Sequence, residues 1–237
     1  MAYVRLKHAL SAAVLAAVDD SREAPTVEAL AACAASDRGA SAPVDDLARA
    51  AGLTPEEVRR RLLATGVCAE AGGARLVGLD PIFASHAAYA ARQTARAADA
   101  VRVLRGPAPQ GLSAVVWRAA VLFNAGLFFE CHEYLERPWR AADRGDRAFY
   151  HGLIQAAAGC YHFEKGNVHG TDALLAKAIV NLRPYAPAAH GIDVAGLLDG
   201  LADVRAGALA VPPRLPHGRL PVIRLAADPG AVSSGIG

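Results

Sequence analysis

The chain has 237 residues, enough for one large domain or two small ones, and 53% of them are hydrophobic while 20% are charged. This composition excludes a wholly disordered protein. The formal net charge of +2 does not indicate a polyanionic partner for the chain as a whole. The four cysteines are scattered without C-x-x-C spacing, so we expect reduced thiols that serve as small core residues.

The beginning of the chain does not resemble a targeting segment. Arg5 and Lys7 precede an alanine-rich run, but that run meets Asp19 and Asp20 without a convincing cleavage site. No stretch reaches the roughly 20 apolar residues that are needed to span a bilayer. We therefore expect a cytoplasmic protein that does not bind membranes.

Residues 1–80 are predicted to form a helical, winged-helix-like domain. Thr54 can cap a helix at its N-terminus, Pro55 suits the first helical position, and Glu57 would complete a capping box. Two short apolar stretches flank Gly72 and Gly73, which predicts a small β-hairpin with a glycine turn. The helices are expected at about 3–18, 26–35, 44–51 and 55–65.

The pair of helices within 44–66 has the pattern of a helix-turn-helix, and with the hairpin it resembles a winged-helix domain over about residues 24–80. Arg59, Arg60 and Arg61 lie on its second helix, where arginines could contact phosphates or guanine edges. However, residues 1–80 contain 9 Lys and Arg against 11 Asp and Glu, which disfavours nucleic acid as a partner. A structural or protein-contact role is favoured over DNA binding.

The remaining chain is predicted to be helical as well, so the fold class is mainly α. Residues 81–112 would form a linker, with an arginine-bearing helix at about 82–104 followed by a segment rich in proline and glycine. Residues 113–210 would form a helical bundle, in which Pro138 ends or kinks the first helix. Residues 211–237, rich in proline and glycine, would form an extended tail. The helices of the bundle are expected at about 113–137, 146–165, 171–183 and 193–205.

A group of polar side chains marks the first helix of the bundle. His132 and Glu136 lie roughly 40° apart on one helical face, with Glu133 beside them. A histidine and a carboxylate four residues apart on a helix can share one cation or one proton. Glu130 lies further round the helix and is an accessory candidate.

The second helix of the bundle carries a similar polar row. Gln155 and His162 lie roughly 40° and 20° from His151 when viewed along the helix. Gly152 and Gly159 form an adjoining strip, which predicts the close approach of another helix. A short polar turn joins the two helices, so they should be antiparallel neighbours whose polar faces meet. Asn167 and His169, in the turn that follows, could either close such a site or cap helices.

These residues belong to linked motifs: Phe-Asn-x-Gly-x-Phe-Phe-Glu-x-His-Glu-x-x-Glu-x-x-Trp-Arg, then Tyr-x-Gly-Leu-Ile-Gln-x-Ala, then His-x-x-x-Gly-Asn-x-x-Gly. Running from Phe123 to Gly170, they strongly resemble domain-of-unknown-function family 309. The resemblance extends more loosely to about Arg205 and excludes the winged-helix-like segment. It implies a compact helical bundle and no established activity.

Three functional interpretations remain open at this point. The first is a divalent metal or small-ligand site formed by His132, Glu133, Glu136, His151, Gln155 and His162. The second is a purely structural polar cluster that fixes the register of two helices. The third is a regulator, in which the winged helix binds DNA or a protein and the bundle senses a ligand or dimerises.

The sequence does not decide whether the protein is an enzyme, nor does it indicate an oligomeric state. It contains no nucleophile elbow, phosphate-binding glycine loop or dinucleotide fingerprint, which removes support for a serine hydrolase, a kinase or a nucleotide-dependent dehydrogenase. The run that begins at His132 also lacks the second histidine of the zinc-protease motif His-Glu-x-x-His.

Overall fold

The computed structural model describes residues 1–36, 41–210 and 220–226. The chain divides into two compact units, Met1–Pro107 and Ala108–Gly237. The predicted mainly α fold, with a small β-hairpin and a C-terminal helical bundle, is confirmed. Within the described ranges, no helix is both long enough and apolar enough to cross a membrane.

The first unit packs its helices around a small sheet. Its core contains large buried side chains from several elements, among them Leu6, Leu30, Leu62 and Phe83. The elements are α1 (Ala2–Asp19), α2 (Ala24–Ala34), β1 (Ser41–Pro43), α3 (Val44–Ala51), α4 (Pro55–Ala64), β2 (Cys68–Glu70), β3 (Leu76–Leu79) and α5 (Ala87–Leu104).

The turn between α3 and α4 follows the local sequence signals. Gly52 ends α3 in the left-handed region, with φ of +66°, and the Thr54 side chain accepts a hydrogen bond from the Glu57 N–H at 3.2 Å. The expected capping box is replaced, however. The Glu57 carboxylate accepts hydrogen bonds from Arg60 and Arg61, which lie three and four residues further along the same helix.

The predicted hairpin forms from β2 and β3, and Gly72 and Gly73 both have positive φ in its turn. A third strand, β1, was not predicted from the sequence. It pairs antiparallel with β3, so the sheet order is β1-β3-β2. β1 has three residues and includes Pro43, which is too short a run to show the alternation of apolar and polar residues that indicates a strand.

Helix α5 packs against α1 and α2 of the first unit, whereas the sequence analysis placed this helix in a linker spanning 81–112. Its packed face includes the buried side chains of Ala90, Ala97 and Val101. Small alanine side chains contribute little to a hydrophobic pattern, so the arginines on the opposite face dominate the sequence signal.

The second unit is a bundle of helices with a short two-stranded hairpin between the last two. The elements are α6 (Ala114–Asn124), α7 (Phe128–Ala141), α8 (Arg144–Glu164), α9 (Val168–Leu182), β4 (Ala188–Ala189), β5 (Ile192–Asp193) and α10 (Val194–Leu209). In sequence order, α6 packs on α7, α7 on α8, and α8 on α9, and α10 packs against α9.

The single helix expected at 113–137 is two helices, α6 and α7. Gly126 separates them with a φ of +73°. Its N–H bonds to the Phe123 carbonyl, and the N–H of Leu127 bonds to the Leu122 carbonyl, which together make a Schellman ending. Pro138 does not end the second helix, because α7 continues to Ala141.

Two interior glycines let α9 approach α8 closely, in keeping with the small-residue strip seen in the sequence. A Cβ atom at Gly159 would lie 2.4 Å from Leu175 Cδ2, and one at Gly152 would lie 2.6 Å from Leu182 Cγ. Both distances are too short for non-bonded carbon atoms, so glycine is required for this packing. Helix α8 is thereby held against α9 along most of its length.

Part of the predicted extended tail lies within the described residues. Ile192 forms an isolated β-bridge with Leu225, and the Asn124 side chain bonds both the N–H and the carbonyl of Ile223, at 2.7 and 2.8 Å. These contacts attach residues 220–226 to the bundle. Residues 211–219 and 227–237 of the expected tail lie outside the described residues.

Candidate functional site

Three potential metal ligands converge on α7. His132, Glu133 and Glu136 each offer one ligand atom, and these three atoms lie within 4.8 Å of one another. Glu133 Oε1 is 3.2 Å from His132 Nδ1, and Glu136 Oε1 is 3.8 Å from His132 Nε2. Helical spacing brings His132 and Glu136 together, because residues four apart lie nearly one above the other. Glu133, which is adjacent in sequence, reaches His132 through the conformation of its own side chain.

The environment of His132 is partly apolar. Phe129 stacks on its ring with 6.4 Å between ring centroids, and the side chain is 28% exposed. Its Nδ1 atom is inaccessible to solvent and makes no hydrogen bond, although Glu133 Oε1 lies only 3.2 Å away, because the two groups are poorly aligned. A buried ring nitrogen without a hydrogen bond is costly unless another group binds it.

Arg140 contacts the same group from outside. Its Nη2 donates to Oε2 of Glu136, which leaves Oε1 of that carboxylate directed toward His132. Outer partners of this kind orient the carboxylates that ligate metals. Glu130, the predicted accessory residue, is buried with 1% exposure and is not a member of the converging group.

His151, on α8, belongs to a different set of contacts. Its Nε2 lies 3.1 Å from the Gln155 side-chain nitrogen, and Asn181 of α9 donates to the Gln155 oxygen at 2.8 Å. The Trp139 indole stacks on the His151 ring with 5.2 Å between centroids, and the Arg147 guanidinium lies over the same indole. This polar chain therefore connects α8 to α9.

His162, Asn167 and His169 gather at the turn between α8 and α9. Asn167 caps α9, because its side-chain oxygen accepts a hydrogen bond from the Gly170 N–H at 2.9 Å. Its side-chain nitrogen also lies 2.9 Å from His162 Nδ1. Asn167 therefore both caps α9 and contacts His162 of α8. His169 lies exposed in the first turn of α9.

The six residues predicted for one site thus fall into three sets along the α7–α8 hairpin. The group that brings potential metal-ligand atoms together consists of His132, Glu133 and Glu136, and it does not include His151 or His162. The sequence pattern predicts that the polar faces of the two helices meet. Ring contacts that join the two helices include the stacking of Trp139, of α7, on His151, of α8, and the contact of Phe129, of α7, with Tyr161, of α8.

Two participants were missed by the sequence analysis. Asn181 was hidden in a helix assigned to ordinary core packing, although a single amide among apolar side chains could have signalled a partner across the helix interface. Arg140 ends the first motif, and the sequence alone indicates no role for it.

The arginines proposed for nucleic-acid contact are all engaged with carboxylates. Arg59 contacts Glu70 of the hairpin, and Arg60 contacts Glu57 at 2.8 Å. Arg61 contacts Glu57 at 2.6 Å and Glu23 at 3.2 Å. Arg61 is 19% exposed and also donates to the Arg22 carbonyl, so it ties α4 to the segment before α2.

Comparison with known proteins agrees with the resemblance noted in the sequence. Residues 116–174 match the family model described as a domain of unknown function, DUF309, which covers the converging group of α7 and the histidines of α8. No curated protein and no solved structure matches the chain.

Proposed function

We propose that the second unit binds a divalent transition-metal ion, such as Zn²⁺, through His132, Glu133 and Glu136. The observation that carries the proposal is the convergence of three ligand atoms within 4.8 Å of one another on a single helix. Imidazole nitrogen and carboxylate oxygen are ligands that suit zinc and neighbouring divalent ions.

The distance between two of the ligand atoms is compatible with coordination of one ion. Two ligand atoms that each lie about 2.1 Å from a metal, at an angle of about 100°, are about 3.2 Å apart. His132 Nδ1 and Glu133 Oε1 have this separation, and the nitrogen is the buried atom that lacks a hydrogen bond. Metal coordination would satisfy that nitrogen and relieve the repulsion between the two carboxylates.

Three protein ligands leave at least one coordination position for water or another ligand. Sites of this kind activate a bound water molecule or polarise a bound oxygen, whereas purely structural zinc sites use four protein ligands. We therefore expect a site with a coordination position free for water or a ligand, and not a structural site filled by four protein ligands.

Zinc titration of the metal-free, untagged chain by calorimetry tests the proposal. We expect one ion per chain, and affinity at least about tenfold weaker in His132→Gln, Glu133→Gln and Glu136→Gln. His169→Gln is the matched control, because it removes an exposed histidine of the same unit. If wild type binds no zinc, or if the three variants bind it as wild type does, the proposal is wrong.

The structural alternative makes a different prediction for the same variants. If the group only fixes helix packing, His132→Gln loses folding stability although wild type binds no metal. Thermal unfolding of wild type and variants, with and without zinc, separates the two outcomes.

As a second candidate, we propose that the first unit is a winged-helix module that contacts protein rather than DNA. The order α2-β1-α3-α4-β2-β3, with sheet order β1-β3-β2, supports a winged helix. The ion pairs of Arg59, Arg60 and Arg61 argue against phosphate binding, since binding would have to break them. A salt-dependent gel shift with duplex DNA that is abolished by the triple Arg→Gln variant would refute the protein-contact assignment.

A further inference from the structure

Helix α8 begins with a carboxylate and two aromatic rings on one face. Asp146 is three residues before Phe149 and four before Tyr150, so their side chains project from the same side of the helix. The Phe149 ring is completely buried. The Tyr150 ring meets it edge-on, with 5.6 Å between the centroids and 71° between the planes. The two rings therefore stand as a floor and a wall.

Tyr185, in the segment that follows α9, provides a second wall. Its ring makes an angle of 64° with the Phe149 ring, with 5.3 Å between the centroids. Its hydroxyl donates a hydrogen bond to the Gly145 carbonyl, which ties this ring to the first turn of α8. We call the set of Phe149, Tyr150, Tyr185 and the Asp146 carboxylate the aromatic cage.

The side chain of His190 occupies the aromatic cage. Its ring centroid is 4.1 Å from that of Phe149, 6.2 Å from that of Tyr150 and 6.3 Å from that of Tyr185. Its Nε2 atom lies 3.3 Å from Oδ1 of Asp146. The His190 side chain is 26% exposed, so solvent reaches the cage from one side. The chain itself therefore supplies a nitrogen-containing ring that contacts all four members of the cage.

His190 reaches the cage from the two-residue turn between β4 and β5. His190 and Gly191 both have positive φ, of +50° and +78°. Glycine, asparagine and aspartate are the residues that such hairpin turns favour. The backbone therefore does not require histidine at this position, and the contacts of its ring within the cage are what distinguish it from those residues.

We propose that the aromatic cage is a binding site for an alkylated ammonium group, and that His190 fills the cage until such a ligand displaces its side chain. Aromatic faces within about 6 Å of a cation attract it, and cages of aromatic rings recognise quaternary ammonium groups. The carboxylate of Asp146 adds charge attraction to that of the rings. Because the occupant comes from a hairpin turn, a change of its side-chain rotamer vacates the cage while α8 stays intact.

Calorimetric titration of the full chain with choline tests the proposal. We expect choline to bind His190→Gly and His190→Asn at least about tenfold more tightly than wild type, because these variants suit the turn and have no ring to displace. The neutral analogue of choline, in which carbon replaces nitrogen, should bind both variants at least about tenfold more weakly than choline. His169→Gln is the matched control and should bind choline as wild type does.

Substitutions in the cage locate the binding. Asp146→Asn and Tyr185→Leu, each combined with His190→Gly, should weaken the binding of choline at least about fivefold. A peptide that contains trimethyllysine is titrated in parallel, because the same ammonium group can belong to a free small molecule or to a protein side chain. The tighter of the two ligands identifies the source that the cage suits.

The inference is wrong if neither choline nor the peptide binds to folded His190→Gly or His190→Asn. It is also wrong if the neutral analogue binds as tightly as choline, or if wild type and His190→Gly bind choline equally. Unchanged binding in the variant that also carries Asp146→Asn would place the ligand outside the cage. Circular dichroism verifies that each variant is folded, and zinc is left out of every titration so that the α7 group plays no part.

Discussion

Helices α4 and α7 each carry a group of charged or polar side chains that the sequence singles out, and the structure uses the two groups differently. On α4, Arg59, Arg60 and Arg61 each contact a carboxylate. On α7, the carboxylates of Glu133 and Glu136 converge on one histidine. A row of charges therefore does not by itself indicate a binding surface. What matters is whether its polar atoms are already bonded within the fold.

The contrast has an energetic basis. The arginines of α4 would have to give up charge-assisted hydrogen bonds before they could bind a phosphate, which reduces the net gain of any contact. The α7 group would give up less, because Glu136 can keep its bond to Arg140 through Oε2, and His132 Nδ1 makes no hydrogen bond although a carboxylate oxygen lies 3.2 Å away. An incoming cation would add attractive interactions at that position.

The largest expected effect is the stabilisation of the second unit by zinc. Trp117 and Trp139 are the two tryptophans of the chain and both lie in this unit, so indole fluorescence reports its unfolding. At 100 times the dissociation constant, we expect the free energy of unfolding to rise by about 2.7 kcal/mol.

Amide hydrogen exchange of α4 should not change with zinc, because the proposed ligands all lie on α7. The double variant Glu133→Gln with Glu136→Gln should show no stabilisation. If zinc protected the amides of α4 and α7 equally against exchange, the proposal that zinc binds only the side chains of α7 would be contradicted.

The next effect compares two neighbouring arginines of α4. Arg61 is 19% exposed and donates to Glu57, Glu23 and the Arg22 carbonyl, whereas Arg60 is 66% exposed. We expect Arg61→Ala to lower the free energy of unfolding of the first unit by about 2 kcal/mol, because hydrogen bonds to charged groups are lost and carboxylates are left unpaired.

Arg60→Ala should change the same quantity by less than about 0.5 kcal/mol, since exposed ion pairs contribute little. Urea unfolding followed by hydrogen exchange of α4 gives both values. Similar losses in the two variants would mean that the arginines of α4 act as a solvated charge row rather than as ties within the fold.

Much of this architecture could be predicted from local signals. Thr54 with Pro55 marked the start of α4, and the glycine pair at Gly72 and Gly73 marked the hairpin. These features are decided by backbone preferences of single residues, which the sequence states directly. The approach of Glu136 to His132 was also predictable, because residues four apart lie on one face of a helix, whereas spacing alone does not bring the adjacent Glu133 to His132.

The helix break at Gly126 was missed although its signal is local, whereas the partners of the α8 histidines depend on contacts between helices. The break at Gly126 was read as helix interior, although glycine followed by leucine fits a Schellman ending. The expectation that the α8 histidines join the α7 group depended on side-chain directions across a helix interface. The structure directs His151 to Gln155 and His162 to Asn167 instead, and periodicity holds no information about that choice.

A smaller effect tests the polar contacts between α8 and α9. Asn167→Ala should lower the free energy of unfolding of the second unit by about 1 kcal/mol, because the N-terminal cap of α9 is lost. Asn167→Asp should retain the cap and lose only the amide donor beside His162.

Indole fluorescence in urea gives both values for Asn167, and the zinc titration of each variant serves as a control for the α7 group. We expect unchanged zinc affinity, since Asn167 lies in a separate set of contacts. A large loss of zinc affinity would instead mean that the contact between Asn167 and His162 contributes to the metal site.

The smallest effect is the acid dependence of the α4 ion pairs. Hydrogen bonds from Arg61 and Arg60 lower the pKa of Glu57 below its usual value of 4.5. A carboxyl with a lowered pKa in the folded state contributes stability that is fully present above 4.5 and is lost as the pH falls through the lowered pKa. Exchange protection of α4 should therefore decline in that acidic range.

Glu57→Gln, which retains the side-chain shape and removes the titrating group, should flatten that part of the pH profile of exchange protection. If the variant shows the same decline as wild type, carboxyl groups other than Glu57 govern the acid response. The pairing of the α4 arginines with Glu57 would then contribute little to the stability of this helix.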